Sequence, residues 1–501
     1  MSLALPDLPE SYIPIAGRTQ GEIAFAKHDF EGAKQLFIKS SQGVSSDYEH
    51  HLLQAKIGEA RALSGLGDLQ GSMKLYLDAL NRSEFVRSKF RSEEIRAGAF
   101  GDVQTVFDEA IKLATQINLH ELALDISERS RSRAALDLMR GRKESKFLTA
   151  RHSPYAIVID NQKAVSARNL QAALPPGTVV AIYHVMDHRA HVWAVRRGGI
   201  QNRQINMSAD TLRSRSVALR RLVQRGDKLV GSEFSKLSNG LLGPIQLKDG
   251  ETLIIVPHGP LHYLPFQALW NGASYLAERN SIAYAPSMSI AAELFSGAAE
   301  KRSRTLLAYA NPHAGEGLLA LPGAELEAKT ITSSDPSAIL RVGADASEAT
   351  FVKEVAQFAT IHLAAHAKVD ELDPLYSSIF LAPGDGSDGV LEAHEVYELN
   401  LSGADLVTLS ACETGLGRIG KGDEQWGFIR TFLAAGARST LASLWKVEDV
   451  ATQKLMQKVY KELRLGTGKA MALHRAQLEM LRNPKYSSPL FWAGFSLWGE
   501  L

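Results

Sequence analysis

The sequence predicts two folding units of different class: an all-helical region of repeats, then an α/β domain on a largely parallel sheet. Three observations carry this. The first third reads as helix and matches itself. Beyond the polar stretch "GRKESKFLTARHSP" (Gly141 to Pro154), short β-rich runs alternate with helical ones. At 501 residues the chain also exceeds one ordinary domain of roughly 150 residues.

In the helical third, "HDFEGAKQLFIKS" (His28 to Ser40) aligns with "GDLQGSMKLYLDA" (Gly67 to Ala79), with Asp29/Asp68, Phe30/Leu69, Gly32/Gly71, Leu36/Leu75 and Phe37/Tyr76 in register. The offset, 71 − 32 = 39, exceeds the ~34-residue tetratricopeptide period. Yet a turn followed by a helix whose Ala33 or Ser72 admits a neighbouring helix resembles that repeat. A looser third copy is expected near "NLHELALDISERSRSRAALDLM" (Asn118 to Met139). Stacked helix pairs of this kind present a concave surface that commonly binds partners. The arginines at Arg129, Arg131 and Arg133, and at Arg213, Arg215, Arg220 and Arg221, read as solvated helix faces.

The expected boundary separates residues 1–150 from 151–501. In the second part "TVVAIYHV", "HVWAVR", "TLIIVPH", "TLLAYA", "TIHLAAH", "SSIFLA", "LVTLSA" and "STLASLW" read as strands. "SEATFVKEVAQF", "EQWGFIRTFLAAG", "VATQKLMQKVYKEL" and "GKAMALHRAQLEML" read as helices between them. In such sheets the active groups sit at the carboxyl ends of strands.

Composition narrows the function classes. With 45% hydrophobic and 22% charged residues the chain is globular, and a formal charge of +1 gives no global case for nucleic acid or anionic lipid. No direct nucleic-acid partner and no membrane association are expected. "MSLALPDLPESYIP" lacks a signal-peptide pattern and no run approaches 18 apolar residues, so the expected location is cytoplasmic. The single cysteine, Cys412, excludes an intrachain disulfide and a multi-Cys zinc site.

Two apolar runs end in reactive groups: "ATIHLAAHA" reaches His366 and "DLVTLSACETG" reaches Cys412. On neighbouring parallel strands both side chains would emerge at one sheet edge. An imidazole there lowers the thiol's ~8.5 pKa or takes its proton during attack, and glycines such as Gly415 allow a loop whose N–H groups stabilise an oxyanion. The residues alone leave a second reading, an inert buried thiol beside a satisfied polar histidine.

"GLGRIGK" (Gly415 to Lys421) matches most of a phosphate loop, but Gly422 replaces the hydroxyl and Asp423 and Glu424 follow where phosphate would sit. A nucleotide switch is therefore disfavoured. His362 and His366 form H-x-x-x-H, a zinc pattern on a helix, but the segment reads as strand and no acidic third ligand follows at the usual spacing. No metal site is expected, and His362 reads as structural.

"TIHLAAHA", "PLYSSIFLAP", "DGVLEAHEVYELNLSGADLVTLSACETGLG", "GFIRTFLAAGARSTLASLWKVED" and "PLFWAGFSLWGE" together resemble the CHAT domain, the caspase-like domain associated with tetratricopeptide repeats. "VPHGPLHYLPFQAL" and "YAPSMS" extend the resemblance upstream, over roughly Pro154 to Leu501, and "ERSRSRAALDL" resembles the helix that often precedes it. The separation 412 − 366 = 46 sits near the about 50 residues of a caspase pattern.

The resemblance implies an α/β caspase-like domain in two halves, residues 151–300 pseudo-caspase-like and 301–501 carrying the reacting pair. It implies a cysteine endopeptidase of the caspase and separase clan that cuts a protein substrate, with His366 and Cys412 as catalytic dyad and no metal or organic cofactor. The oxyanion hole would use the backbone N–H of Cys412 and of Ala367, where the family pattern usually has glycine. Asp423, Glu424, Glu448 and Asp449 are expected near the cleft as candidates for selecting a basic side chain. The repeats would hold an activating or inhibitory protein partner, in settings that include bacterial defence or regulated cell death. The alternative is a non-catalytic scaffold whose caspase-like domain is a pseudoenzyme.

Overall fold

A computed structural model describes residues 13–42, 49–88, 104–131, 167–227, 232–296, 305–315, 318–370, 373–410 and 427–501. The described residues fall into two compact units, one ending at Ser130 and one beginning at Arg131. The expected boundary at 150/151 lies outside the described residues.

The first unit is helical: α1 (Ile13–Ala26), α2 (Phe30–Ser41), α3 (Glu49–Gly65), α4 (Leu69–Ser88), α5 (Gln104–Gln116) and α6 (His120–Arg129). Consecutive helices pack as the pairs α1/α2, α3/α4 and α5/α6, and α2 packs on α3. Each pair turns through a left-handed residue at one repeat position: His28 (φ 62°), Gly67 (φ 87°) and Asn118 (φ 61°). Asp29 and Asp68 then cap the second helix, each accepting from the N–H of Gly32 or Gly71 at 2.9 Å. The aligned glycines have a local cause, because a Cβ on either would stand 2.2–2.3 Å from its own capping carboxylate. The third copy supports this: Leu119 makes no side-chain cap, and Leu122 occupies the glycine position.

Helix approach follows the same logic. Ala33, Ser72 and Ala123 are fully buried. The Phe37 ring lies where a Cβ on Gly21 or Gly58 would meet it at 2.8 and 2.3 Å. Its counterpart Tyr76 adds a hydroxyl that donates to Glu109, which also takes a two-pronged bond from Arg61, so α3, α4 and α5 are joined.

The second unit contains β1 (Thr178–Val185), β2 (Ala190–Arg196), β3 (Gly199–Ile205), β4 (Thr252–Val256), β5 (Ser281–Tyr284), β6 (Leu306–Pro312), β7 (Ile339–Gly343), β8 (Thr360–Ala364), β9 (His366–Lys368), β10 (Ser378–Phe380), β11 (Val390–Glu392), β12 (Leu406–Leu409), β13 (Ser439–Ser443) and β14 (Phe495–Gly499). Eleven of these form one sheet, in the order β3-β2-β1-β4-β5-β14-β13-β12-β8-β6-β7. It is largely parallel. β1, β4, β5 and β14 run parallel, as do β13, β12, β8, β6 and β7. The two blocks meet where β14 pairs antiparallel with β13. Central strands are buried along their length, which is why they read as apolar runs.

The unit also contains the helices α7 (Pro322–Thr332), α8 (Phe428–Ala434), α9 (Asp449–Arg464) and α10 (Lys469–Arg482). α7 packs on α9, and α9 on α10. Among the described residues no helix is long and apolar enough to cross a membrane.

Two expectations need correction. Arg131 is not on a solvated helix face: it is 1% exposed and donates to the carbonyls of Tyr183 (2.7 Å) and Pro257 (3.3 Å), near the carboxyl ends of β1 and β4. Nor is "TIHLAAH" one strand. The ladder stops at Ala364, the chain bends at Ala365, and His366 begins β9 of a separate sheet ordered β11-β10-β9.

Candidate active site

β8 and β12 are parallel neighbours, with Thr408 opposite His362 and Leu409 opposite Leu363. The pairing continues beyond β12, since Ser410 N–H donates to Leu363 O at 2.8 Å. The bend at Ala365 turns the chain out of the sheet and leaves His366 half-buried at the carboxyl end of β8. A cavity of about 270 Å³ opens there, with His366, Ser410 and Ser443 contributed from the ends of β8, β12 and β13. Leu319, Glu327, Trp445, Lys446 and Asp449 are among the other residues of its wall. This is where open α/β sheets place their ligands.

The imidazole is oriented from one side. His366 Nε2 lies 2.7 Å from the carbonyl oxygen of Leu319. A carbonyl only accepts, so Nε2 carries the proton and a neutral ring keeps its lone pair on Nδ1. That tautomer suits a general base. The segment holding Leu319 is itself pinned by Asn311, a left-handed residue (φ 44°) at the end of β6. Asn311 Oδ1 accepts from Leu321 N–H at 2.6 Å, and Nδ2 donates to Glu325 at 3.0 Å.

Ala367 follows His366 in β9, opposite Ile379, and its φ is not among the positive ones, so alanine's methyl causes no backbone strain there. Asp449, the first residue of α9, lines the cavity and packs against Gly323, where a Cβ would come within 2.5 Å of its carboxylate. Glu448 is exposed and stands outside the cavity lining. Cys412, Asp423, Glu424 and the Gly415 to Lys421 loop lie outside the described residues.

His362 and His366 do not converge. His362 is buried beside Tyr460 and Glu327, whereas His366 faces Leu319. Among the described residues no three His, Cys, Asp or Glu side chains gather as a metal-binding group. Sequence reasoning missed the Leu319 carbonyl, because a backbone acceptor leaves no residue-type signal. It also missed Glu327, which lines the cavity from α7.

A caspase-like α/β domain, accompanied in the same chain by helical repeats, is the class that this topology and strand-end cavity define. The CHAT domain profile matches residues 232–500, more than half of the sequence, and the chain belongs to the CHAT domain family. Tetratricopeptide repeat protein 28 of Homo sapiens is 28% identical over 295 residues, covering 50% of this chain and 12% of that protein. Its Mus musculus counterpart is 33% identical over 111 residues, 22% of this chain and 4% of that protein. The matched spans are thus small parts of these relatives. The separase chain in a Saccharomyces cerevisiae separase–securin crystal structure shares the fold, with a TM-score of 0.55 at 10% identity, over 97% of this chain and 44% of separase.

Proposed function

We propose that this protein is a cysteine endopeptidase that cleaves a protein substrate through Cys412 and His366. The observation that carries the reading is the half-buried His366, its tautomer set by the Leu319 carbonyl, on a cavity at the carboxyl ends of β8, β12 and β13. Register supports it. His366 stands two residues past Ala364, the end of β8, and Cys412 two residues past Ser410, the last described residue that pairs with β8.

In the proposed reaction His366 Nδ1 takes the thiol proton and Cys412 Sγ bonds to the scissile carbonyl carbon. The backbone N–H groups of Cys412 and Ala367 stabilise the oxyanion. As the C–N bond breaks, His366 returns the proton to the leaving amine. Water, deprotonated by His366, then hydrolyses the thioester and restores the thiol.

Of the four acids, Asp449 is the one supported as a reader of basic side chains, since it lines the cavity; Asp423 and Glu424 follow the nucleophile in sequence. The proposed organisation is a repeat domain (1–150) that recognises a partner or restrains cleavage, and a peptidase domain (151–501) whose first half is pseudo-caspase-like. The proposed setting is cytoplasmic, in a defence or regulated cell-death response.

The test is to mix wild-type protein, or its Cys412→Ala variant, with a denatured proteome and sequence the new N-termini. Termini produced by wild type alone, with a basic residue before the cut, are expected. Identical termini from both proteins, with wild-type Cys412 no more reactive than in the unfolded chain, would point to a pseudoenzyme scaffold.

A further inference from the structure

The His362↔Thr408 register pair is bridged from a helix. Tyr460, on α9, donates its hydroxyl proton to Thr408 Oγ1 at 3.0 Å, and the Tyr460 hydroxyl oxygen lies 3.0 Å from His362 Nδ1. Burial pushes the phenol's pKa well up, so it stays protonated. Its one proton is committed to Thr408, and His362 Nδ1–H must therefore donate to it.

On the far side of the ring, His362 Nε2 is 2.9 Å from Glu327 Oε1, within ion-pair distance although not aligned for a hydrogen bond. His362 is thus held between the Tyr460 hydroxyl on one side and the Glu327 carboxyl on the other. All four groups are buried: His362 and Thr408 are 0% exposed, Glu327 2% and Tyr460 4%. A buried cluster of polar and ionisable side chains is poorly explained by stability, because an apolar replacement is often as stable.

Placement suggests another role. Four of the segments around the cavity each send one member into this network. α7, entered by the segment whose Leu319 orients His366, supplies Glu327, and β8, which leads to His366, supplies His362. β12 leads to Cys412 and supplies Thr408; α9 begins with Asp449 on the cavity wall and supplies Tyr460. In sequence, His362 stands four residues before His366 and Thr408 four before Cys412.

We propose that Glu327, His362, Tyr460 and Thr408 form a positioning network that holds the ends of β8 and β12 in reacting register, an inference that rests on the dyad reading above. The strands are joined one short segment, at most about 13 Å of extended chain, behind the reacting groups. A small displacement there is transmitted to the separation of imidazole and thiol, to which rate is steeply sensitive.

The test is the rate at which iodoacetamide alkylates Cys412, the chain's only thiol, in the full-length protein. Tyr460→Phe removes the bridging hydroxyl and keeps the ring. It is expected to slow alkylation at least about fivefold, and to move the half-maximal pH of alkylation up toward the ~8.5 of a free thiol, with native protein retained by thermal melting. Thr408→Val cuts the same bridge from the other strand, and serves if Tyr460→Phe fails to fold. In a His366→Ala background, Tyr460→Phe is expected to add little, because it acts through the imidazole.

If His366→Ala slows alkylation but folded Tyr460→Phe and Thr408→Val match wild type in rate and pH profile, the positioning role is wrong and the dyad stands. If His366→Ala itself leaves alkylation unchanged, the dyad reading fails and the positioning role falls with it.

Discussion

Replacing Asn311 by alanine should disable the thiol without unfolding the domain. Asn311 Oδ1 holds Leu321 N–H at 2.6 Å, two residues from the carbonyl that binds His366. Losing that neutral hydrogen bond removes about 1 kcal/mol net from the seated segment. Alanine at φ 44° costs roughly 1 kcal/mol more, since asparagine tolerates the left-handed region better. About 2 kcal/mol lowers the equilibrium constant for seating roughly thirtyfold. Cys412 alkylation should fall by up to about thirtyfold, the upper limit applying when seating is marginal. The assay is iodoacetamide labelling by mass spectrometry, with hydrogen exchange reporting the backbone at 318–321. A segment that loses protection while the labelling rate stays at the wild-type value would refute the link between the Leu319 carbonyl and the imidazole.

Gly58→Ala should destabilise the repeat unit by about 1–3 kcal/mol, because its Cβ would stand 2.3 Å from the Phe37 ring. Adding Phe37→Leu should return part of that loss, and urea unfolding that finds both changes neutral contradicts the packing. Burial, and then the nearby Glu395 carboxylate, raise the pKa of Glu348 in the folded state. Its contribution is thus present below the unfolded value and lost as pH rises through the folded one. Glu348→Gln keeps an acceptor for Gly389 N–H and should raise Tm at pH 7.5, with the gain vanishing toward pH ~4; an equal gain at both pH values contradicts this. Ala367→Gly should lower stability by about 0.5–1 kcal/mol without speeding alkylation, since Ala367 already sits unstrained in β9, and a large acceleration would show the methyl to be obstructive.

Much of the buried sheet was legible because β1, β4 and β12 are covered on both faces and read as near-continuous apolar runs, whereas β5 and β14, equally buried at its centre, were not read as strands. The edges were not. β3, "GIQNRQI", is largely solvent-facing, and β7 carries Arg341, which pairs with Glu354, so neither reads as an apolar run. The repeat was legible through Asp29/Gly32 and Asp68/Gly71 because cap and glycine are coupled within one turn. The bend at Ala365 left no sign, because the register of β9 is fixed by β10, far along the chain. His366 stood out by type and position, whereas its Leu319 acceptor and the surroundings of His362 depend on α7 and α9 packing over the sheet.

The central claim is that His366 activates Cys412 in the native fold. Labelling native protein with a thiol-reactive peptidyl electrophile, wild type against His366→Ala, tests it most directly. The account predicts labelling of wild-type Cys412 faster than in the denatured chain, falling sharply when the imidazole is removed. Equal rates in both proteins, no faster than in the denatured chain, would contradict it.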